Sequence, residues 1–215
     1  MTMTLYGIAA SRTARPLWLL EEIGADYAHV AQTYKGGATR QPDFLRLNPN
    51  GHIPVLDDDG ILVWESMAIT LYLAQKLGGL LAPASHAETA ETLRWTFWSV
   101  TECEKDALVI LFQRVAGPPA QRDAHKLAQA EKRLAVPLSV LNSHLADRNY
   151  IAAERFTVAD VNVASIIAWA KPASALLQGF EHVERWLTRC LQRPAQLRVR
   201  EMARRDQAPQ PATGA

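Results

Sequence analysis

The 215-residue sequence contains only two cysteines, Cys103 and Cys190, and they lie far apart in the chain. Such a pair fits neither the disulfide framework of a small secreted domain nor a cysteine-rich zinc cluster. The sequence also lacks a glycine-rich phosphate loop and a cluster of histidines and cysteines, which are the usual signatures of nucleotide, flavin and metal sites. We therefore expect reduced thiols, packed in the core, and no metal.

A strong net charge is missing as well, because 23 Lys and Arg residues nearly balance 22 Asp and Glu residues and leave a formal charge of +1. The chain therefore offers no strong field to nucleic acid or to an anionic membrane. No apolar segment reaches the length of a membrane-spanning helix, and the N-terminus lacks the charged start and uninterrupted apolar run of a secretory signal. We expect a cytoplasmic protein with a small-molecule ligand, no nucleic-acid partner and no membrane partner.

Residues 1–78 alternate between short extended patterns and helical ones, which is typical of an α/β unit. Asp59-Gly60 predicts a tight hairpin turn, since both residues tolerate positive φ. Pro16 fits only the first turn of a helix that begins at about Thr13. The pattern predicts strands at 4–8, 27–31, 54–56 and 61–63, and helices at 13–23, 41–47 and 66–77.

Residues 87–203, beyond a link of small residues at 78–85, show helical periodicity without a convincing strand. Pro137 predicts a kink in the second of these helices. Thr157 and Asp160 match a capping box with Asp in place of Glu, and Arg193-Pro194 is expected to end the last helix. The pattern predicts helices at 89–115, 122–146, 161–169 and around 183–190, followed by a flexible tail at 204–215.

Four short motifs occur in an order and at a spacing that together indicate a known family. They are Ser11-Arg12-Thr13-Ala14-Arg15, Asn48-Pro49-Asn50-Gly51-His52-Ile53-Pro54-Val55-Leu56, Glu65-Ser66, and Phe156-Thr157-Val158-Ala159-Asp160. Together they make nearly the whole chain resemble the cytosolic glutathione transferases. The resemblance implies an α/β thioredoxin-like domain at 1–78 that binds glutathione and an all-α domain at 87–203. It also implies glutathione as cosubstrate, a small hydrophobic electrophile as second substrate, and a homodimer.

Ser11 is the candidate catalytic residue. A thiol with a pKa of about 8.5 is mostly protonated at neutral pH, so the protein has to stabilise the thiolate of glutathione. At a strand-to-helix junction, the Ser11 hydroxyl can donate a hydrogen bond to sulfur, while the N–H groups of the first helical turn add positive potential. Without the resemblance, the residues favour Ser11 as a cap of the first helix, since serine is a leading cap residue. Thr13 and Tyr6 carry alternative hydroxyls that could stabilise the thiolate. Ser11 precedes Arg15 by four residues, as the serine does in theta- and delta-like classes, so the resemblance favours Ser11.

The other candidate residues are glutathione-binding ones that the resemblance supplies. Ile53-Pro54 would be a cis peptide bond whose exposed backbone meets the cysteinyl part, although a trans proline opening an edge strand fits the residues alone. Glu65 and Ser66 would hold the γ-glutamyl end of glutathione at a helix N-terminus. The alternative is an ordinary helix start, where the helix dipole favours an acidic residue. His52 would reach the glycyl carboxylate, or be a solvated loop histidine.

The resemblance implies transfer of the glutathione thiolate to small hydrophobic electrophiles, as in detoxification. Alternatives are a glutathione-dependent peroxidase, an isomerase, or a non-catalytic binding protein. Zeta-like isomerases carry a Ser-Ser-Cys run in the first loop, from which Ser11-Arg12-Thr13 departs. Serine rather than cysteine at position 11 also counts against omega-like mixed-disulfide chemistry. No roles are assigned to the aromatic residues of the long helix at 89–115.

Overall fold

The computed structural model describes residues 3–207, which form two compact units. One unit contains the described residues up to Gly79 together with those from Pro194 onward, and the other is Leu80–Arg193. The first boundary falls within the predicted link at 78–85. The second differs from the predicted domains, because residues 194–203 belong to the N-terminal unit rather than to the helical one.

The N-terminal unit is built on a four-stranded mixed sheet. Its strands are β1 (Met3–Tyr6), β2 (Ala28–Val30), β3 (Val55–Asp58) and β4 (Ile61–Trp64). The order is β2-β1-β3-β4, with β2 parallel to β1 and both other pairings antiparallel. The predicted strands are thus present, and Asp59 and Gly60 adopt the positive φ angles of 51° and 90° expected at the hairpin.

Four α-helices complete the described part of this unit. They are α1 (Ala14–Ile23), α2 (Pro42–Leu47), α3 (Ser66–Leu77) and, at the far end of the chain, α10 (Pro194–Gln207). Thr13 is the residue before the first helix, and Gly24 ends that helix at a φ of 69°, in the left-handed conformation that suits glycine. Leu17, Leu19 and Leu20 are fully buried, so α1 contributes a continuous apolar face to the core.

Helix α10 corrects the prediction that Arg193-Pro194 simply ends a helix. The preceding helix does end just before this pair, but Pro194 opens α10. Proline is well suited to a first helical turn, where its missing N–H would have no helical partner. The helix continues to Gln207, four residues into the predicted tail, and residues 208–215 lie outside the described residues.

The second unit contains the remaining helices and, between Leu80 and Arg193, no strand. These helices are α4 (His86–Trp98), α5 (Glu104–Leu111), α6 (Ala124–His144), α7 (Val158–Ile167), α8 (Ser174–Gln178) and α9 (Glu181–Leu191). The single helix predicted at 89–115 is interrupted by π-helical turns at Ser99–Cys103 and Phe112–Ala116. In these turns the hydrogen bonds join residues five apart in the chain, rather than four as in an α-helix. Helix α6 continues through Pro137, and its kink stays a prediction.

The predicted capping box at the start of α7 is confirmed, with both of its reciprocal hydrogen bonds present. Asp160 is fully buried and accepts at Oδ2 from the Thr157 N–H at 2.9 Å. Its Oδ1 accepts from the Ile151 N–H at 3.0 Å and from the Trp186 indole N–H at 2.9 Å. One carboxylate therefore joins three segments of the helical unit.

Arg155 holds the segment that enters the helical unit. Its guanidinium pairs with both carboxylate oxygens of Glu88, at 2.9 and 2.7 Å. It also donates to the carbonyl oxygens of Leu80, at 2.8 Å, and Ala82, at 2.9 Å. The Ala84 N–H adds a hydrogen bond of 2.8 Å to Glu88. This network lowers the pKa of Glu88 from 4.5 to about 2.

We expect Arg155→Met to lower the free energy of unfolding by about 1–2 kcal/mol, since a charge-assisted network that is partly exposed is lost. The depressed pKa means that the wild-type contribution is present above pH 4.5 and is lost as pH falls toward 2. Urea denaturation should therefore show that the wild-type and variant stabilities converge at low pH. Arg94→Met, which breaks an exposed pair with Glu91, is the control and should change little. Equal losses in both variants would contradict this role.

Candidate active site

The loop between β1 and α1 depends on Gly7. This residue has a φ of 137°, and a Cβ built on it would lie 2.1 Å from Thr13 Oγ1 and 3.1 Å from Ile53 Cβ. Only glycine lets the backbone pass this closely between the start of α1 and the proline loop. Sequence reasoning missed this position, although a glycine inside the predicted strand at 4–8 was the available signal of a close backbone approach.

Ser11 lies in this loop and is half-buried. Its Oγ is 2.7 Å from the Ile8 carbonyl oxygen and 2.9 Å from Thr13 Oγ1, and it accepts from the Thr13 N–H at 3.1 Å. One hydroxyl proton serves only one acceptor at a time, so Ser11 can exchange partners without breaking its link to the Thr13 amide. Thr13 occupies the N-cap position of α1 without a side-chain capping hydrogen bond.

The two alternative hydroxyls have different surroundings. Thr13 is fully buried behind Ser11, and Tyr6 is half-buried within β1. Ser11 and Thr13 both lie on the loop that joins β1 to α1, and of these two residues Ser11 is the one that is partly exposed.

The proline loop precedes β3. The Ile53–Pro54 peptide bond is cis, as the resemblance implies. Asn48 is buried and donates from Nδ2 to the His52 carbonyl oxygen at 2.8 Å, which fixes the backbone of this loop. The His52 side chain itself is exposed.

Glu65 and Ser66 stand at the start of α3, as predicted. Glu65 has a φ of 70° and a ψ of 115°, a conformation that costs a non-glycine residue about 1–3 kcal/mol and that clusters at functional sites. Ser66 is buried, and its Oγ accepts from Arg15 Nη1 at 3.0 Å. Arg15 is only 2% exposed, so it links the first turns of α1 and α3 from within the core.

The strand register brings these segments together. Tyr6 pairs with Val55, and Val55 pairs with Trp64, so the three residues form one row across β1, β3 and β4. Gly7 follows the row on β1, Pro54 precedes it on β3, and Glu65 follows it on β4. The Ser11 loop, the cis-proline loop and the start of α3 therefore meet at one edge of the sheet.

The cysteines are not part of this edge of the sheet. Cys103 and Cys190 are both buried in the helical unit, as expected, and burial raises the pKa of the Cys103 thiol to about 12. Within residues 3–207, no group of three or more His, Cys, Asp or Glu side chains is arranged to hold a metal ion. Of the helices in the described part of the chain, none is both long and apolar enough to cross a membrane.

Aromatic side chains of α4 border a recess in the helical unit. Trp95 and Trp98 meet edge to face, with ring centroids 4.8 Å apart, and the Trp95 ring is 4.4 Å from His144. With Arg94 and Val140 these residues line a space of about 330 Å³. Because Trp95 is 5% exposed, it is mainly a packing residue.

A thioredoxin-like sheet with a cis-proline loop beside its first helix, followed along the chain by an all-helical unit, defines the class of fold. Residues 1–75 match the family model of the glutathione S-transferase N-terminal domain, and residues 105–194 match that of the C-terminal domain. The chain belongs to the glutathione S-transferase family.

Individual relatives agree with this assignment. Over 202 residues, which are 90% of each chain, the protein is 34% identical to glutathione S-transferase 3 of Zea mays. The crystal structure of glutathione transferase F7 from Populus trichocarpa matches with a TM-score of 0.85 and 28% identity, over 94% of this chain and 99% of that one. The theta class glutathione S-transferase from Xanthomonas axonopodis pv. citri, with glutathione bound, matches with a TM-score of 0.81 and 30% identity, over 91% and 95%.

Proposed function

We propose that this protein transfers the thiolate of glutathione to small hydrophobic electrophiles, with Ser11 stabilising the thiolate. The observation that carries the proposal is the row formed by Tyr6, Val55 and Trp64, which gathers the Ser11 loop, Ile53–Pro54 and Glu65 at one edge of the sheet. The glutathione S-transferases among its relatives support the same activity.

Ser11 acts by changing its hydrogen-bond acceptor. The Ser11 hydroxyl faces the Ile8 carbonyl oxygen and Thr13 Oγ1. When glutathione binds, its thiol proton is released to solvent and the Ser11 hydroxyl donates a hydrogen bond to the thiolate sulfur. Thr13 can then donate a hydrogen bond to Ser11 Oγ, which gives a cooperative chain of donors. A charge-assisted hydrogen bond of about 1.5–3 kcal/mol lowers a thiol pKa by about one to two units. A general base is then unnecessary, because the nucleophile is bound already ionised.

The remaining site residues hold the tripeptide. The Glu65 carboxylate binds the γ-glutamyl ammonium, while the Ser66 hydroxyl and N–H bind the neighbouring carboxylate at the N-terminus of α3. Arg15 supports this end because it is hydrogen-bonded to Ser66. The Ile53 backbone meets the cysteinyl part, and His52 reaches the glycyl carboxylate.

Glu65→Gln should raise the KM for glutathione about tenfold while kcat stays nearly constant, because one charge-assisted contact made equally in ground and transition states is lost. Steady-state kinetics with varied glutathione would measure this. Asp59→Asn is a matched control, since Asp59 is another exposed acid at positive φ in the same unit. A fall in kcat at unchanged KM would show that Glu65 does not act by binding glutathione.

The activity itself is tested by comparing two reactions of the purified protein with glutathione. Conjugation to an activated aromatic chloride is expected. Reduction of a hydroperoxide without conjugation would support the peroxidase alternative, and glutathione binding without either reaction would support a binding protein. The proposal includes a cytoplasmic homodimer. Analytical ultracentrifugation would measure the mass of the assembly.

A further inference from the structure

Helix α10 returns to the N-terminal unit and is held against α1. Arg198 Nε pairs with Glu21 Oε2 at 2.5 Å, and Arg198 Nη2 donates to the Glu21 carbonyl oxygen at 3.0 Å. Tyr27 donates to the other oxygen of the same carboxylate at 2.9 Å. These contacts fix the helix alongside the element that follows the Ser11 loop.

The last turn of α10 contacts the Ser11 loop itself. Asp206 Oδ2 accepts a hydrogen bond of 2.5 Å from the Ala9 N–H. Ala9 is 2% exposed, so its N–H is largely shielded from water. The N–H groups of Gly7 and Ile8 are bonded to the carbonyl oxygens of Val30 and Gln32, and Asp206 continues this series by accepting the next N–H in the loop.

The contact matters because of the peptide group it engages. The Ala9 N–H and the Ile8 carbonyl belong to one peptide unit, and Ser11 Oγ lies 2.7 Å from that carbonyl oxygen. Asp206 therefore holds one end of a rigid, planar peptide whose other end contacts the Ser11 hydroxyl. A rotation of this peptide would move the Ile8 carbonyl oxygen, which contacts the Ser11 hydroxyl.

We propose that Asp206 is a positioning residue for Ser11 and acts through the Ile8–Ala9 peptide. This inference rests on the proposed function of Ser11. Asp206 does not touch glutathione in this account. It keeps the loop in the conformation from which the Ser11 hydroxyl reaches sulfur, and without it the Ala9 N–H would be buried without an acceptor or the loop would shift.

Asp206→Ala should lower kcat about fivefold and raise the pKa of enzyme-bound glutathione, with little change in the KM for glutathione, because a small misplacement of Ser11 affects the ionised state most. Asp206→Asn keeps an acceptor oxygen and should restore kcat to within about twofold of wild type. Arg198→Met is the matched control, since it removes the contacts of α10 with Glu21 and leaves the Asp206 side chain and its Ala9 contact in place. It should lower the melting temperature without moving the thiol pKa.

The amide resonance of Ala9 gives a readout that needs no activity. In the unliganded protein it should lie downfield and exchange slowly, and Asp206→Ala should remove both features. An unperturbed Ala9 amide in the variant, or an unchanged kcat and thiol pKa, would overturn the inference. If the Ala9 signature is present but the wild-type protein does not ionise glutathione, the proposed function fails and the Asp206 contact stands.

Discussion

Replacing Ser11 with alanine should lower kcat/KM for conjugation by about 10- to 150-fold, because a charge-assisted hydrogen bond of about 1.5–3 kcal/mol to the thiolate is lost. The KM for glutathione should change little, since Glu65, Ser66 and the proline loop still hold the tripeptide. At saturating glutathione, the pH profile of kcat/KM for the electrophile should shift upward by about one to two units, because the bound thiol then ionises nearer its solution value.

Two matched variants separate Ser11 from its neighbours. Tyr6→Phe removes a hydroxyl from β1 and should leave the profile unchanged. Thr13→Val removes the hydroxyl that lies 2.9 Å from Ser11 Oγ, and we expect a smaller upward shift than in Ser11→Ala. A Tyr6→Phe variant that loses more activity than Ser11→Ala would transfer the catalytic role to Tyr6.

Replacing Asp160 with alanine should cost about 4 kcal/mol or more, enough to unfold much of a typical marginally stable protein. The carboxylate is fully buried and accepts from the Ile151 and Thr157 backbone N–H groups and from the Trp186 indole. Each of these donors would be left buried without its acceptor, at about 1–3 kcal/mol apiece. Urea denaturation followed by circular dichroism would measure the loss.

The control for Asp160 is Asp106→Ala. That carboxylate makes a bidentate pair with Arg133, whose side chain is 53% exposed, so its loss should cost much less than the loss of Asp160. The folded fraction of Asp160→Ala should retain the wild-type KM for glutathione, because Asp160 has a folding role. A stable Asp160→Ala protein with impaired kcat would contradict that role.

Local chemistry made much of the N-terminal unit predictable. Helix α3 has its predicted bounds, and the hairpin at Asp59-Gly60 forms because both residues accept positive φ. In the helical unit, the capping box of Thr157 and Asp160 was also predictable, because its three-residue spacing is a local signal. Ser11, Glu65 and Ser66 lie in short motifs that the family resemblance identified.

Features that depend on packing between distant segments were not predictable. The π-helical turn at Ser99–Cys103 leaves no mark in the periodicity of a helical run. Pro194 both follows one helix and opens the next, and which role dominates depends on where α10 packs. The contact between Asp206 and Ala9 joins residues 197 positions apart, beyond the reach of any local pattern.

The central claim is that the Ser11 loop holds the sulfur of glutathione as an anion. Ultraviolet difference absorbance of the thiolate, recorded on glutathione-saturated protein across a pH series, tests it most directly. We expect a midpoint about one to two units below the solution value of about 8.5, and loss of that shift in Ser11→Ala. A bound thiol that titrates at its solution value in the wild-type protein would contradict the account.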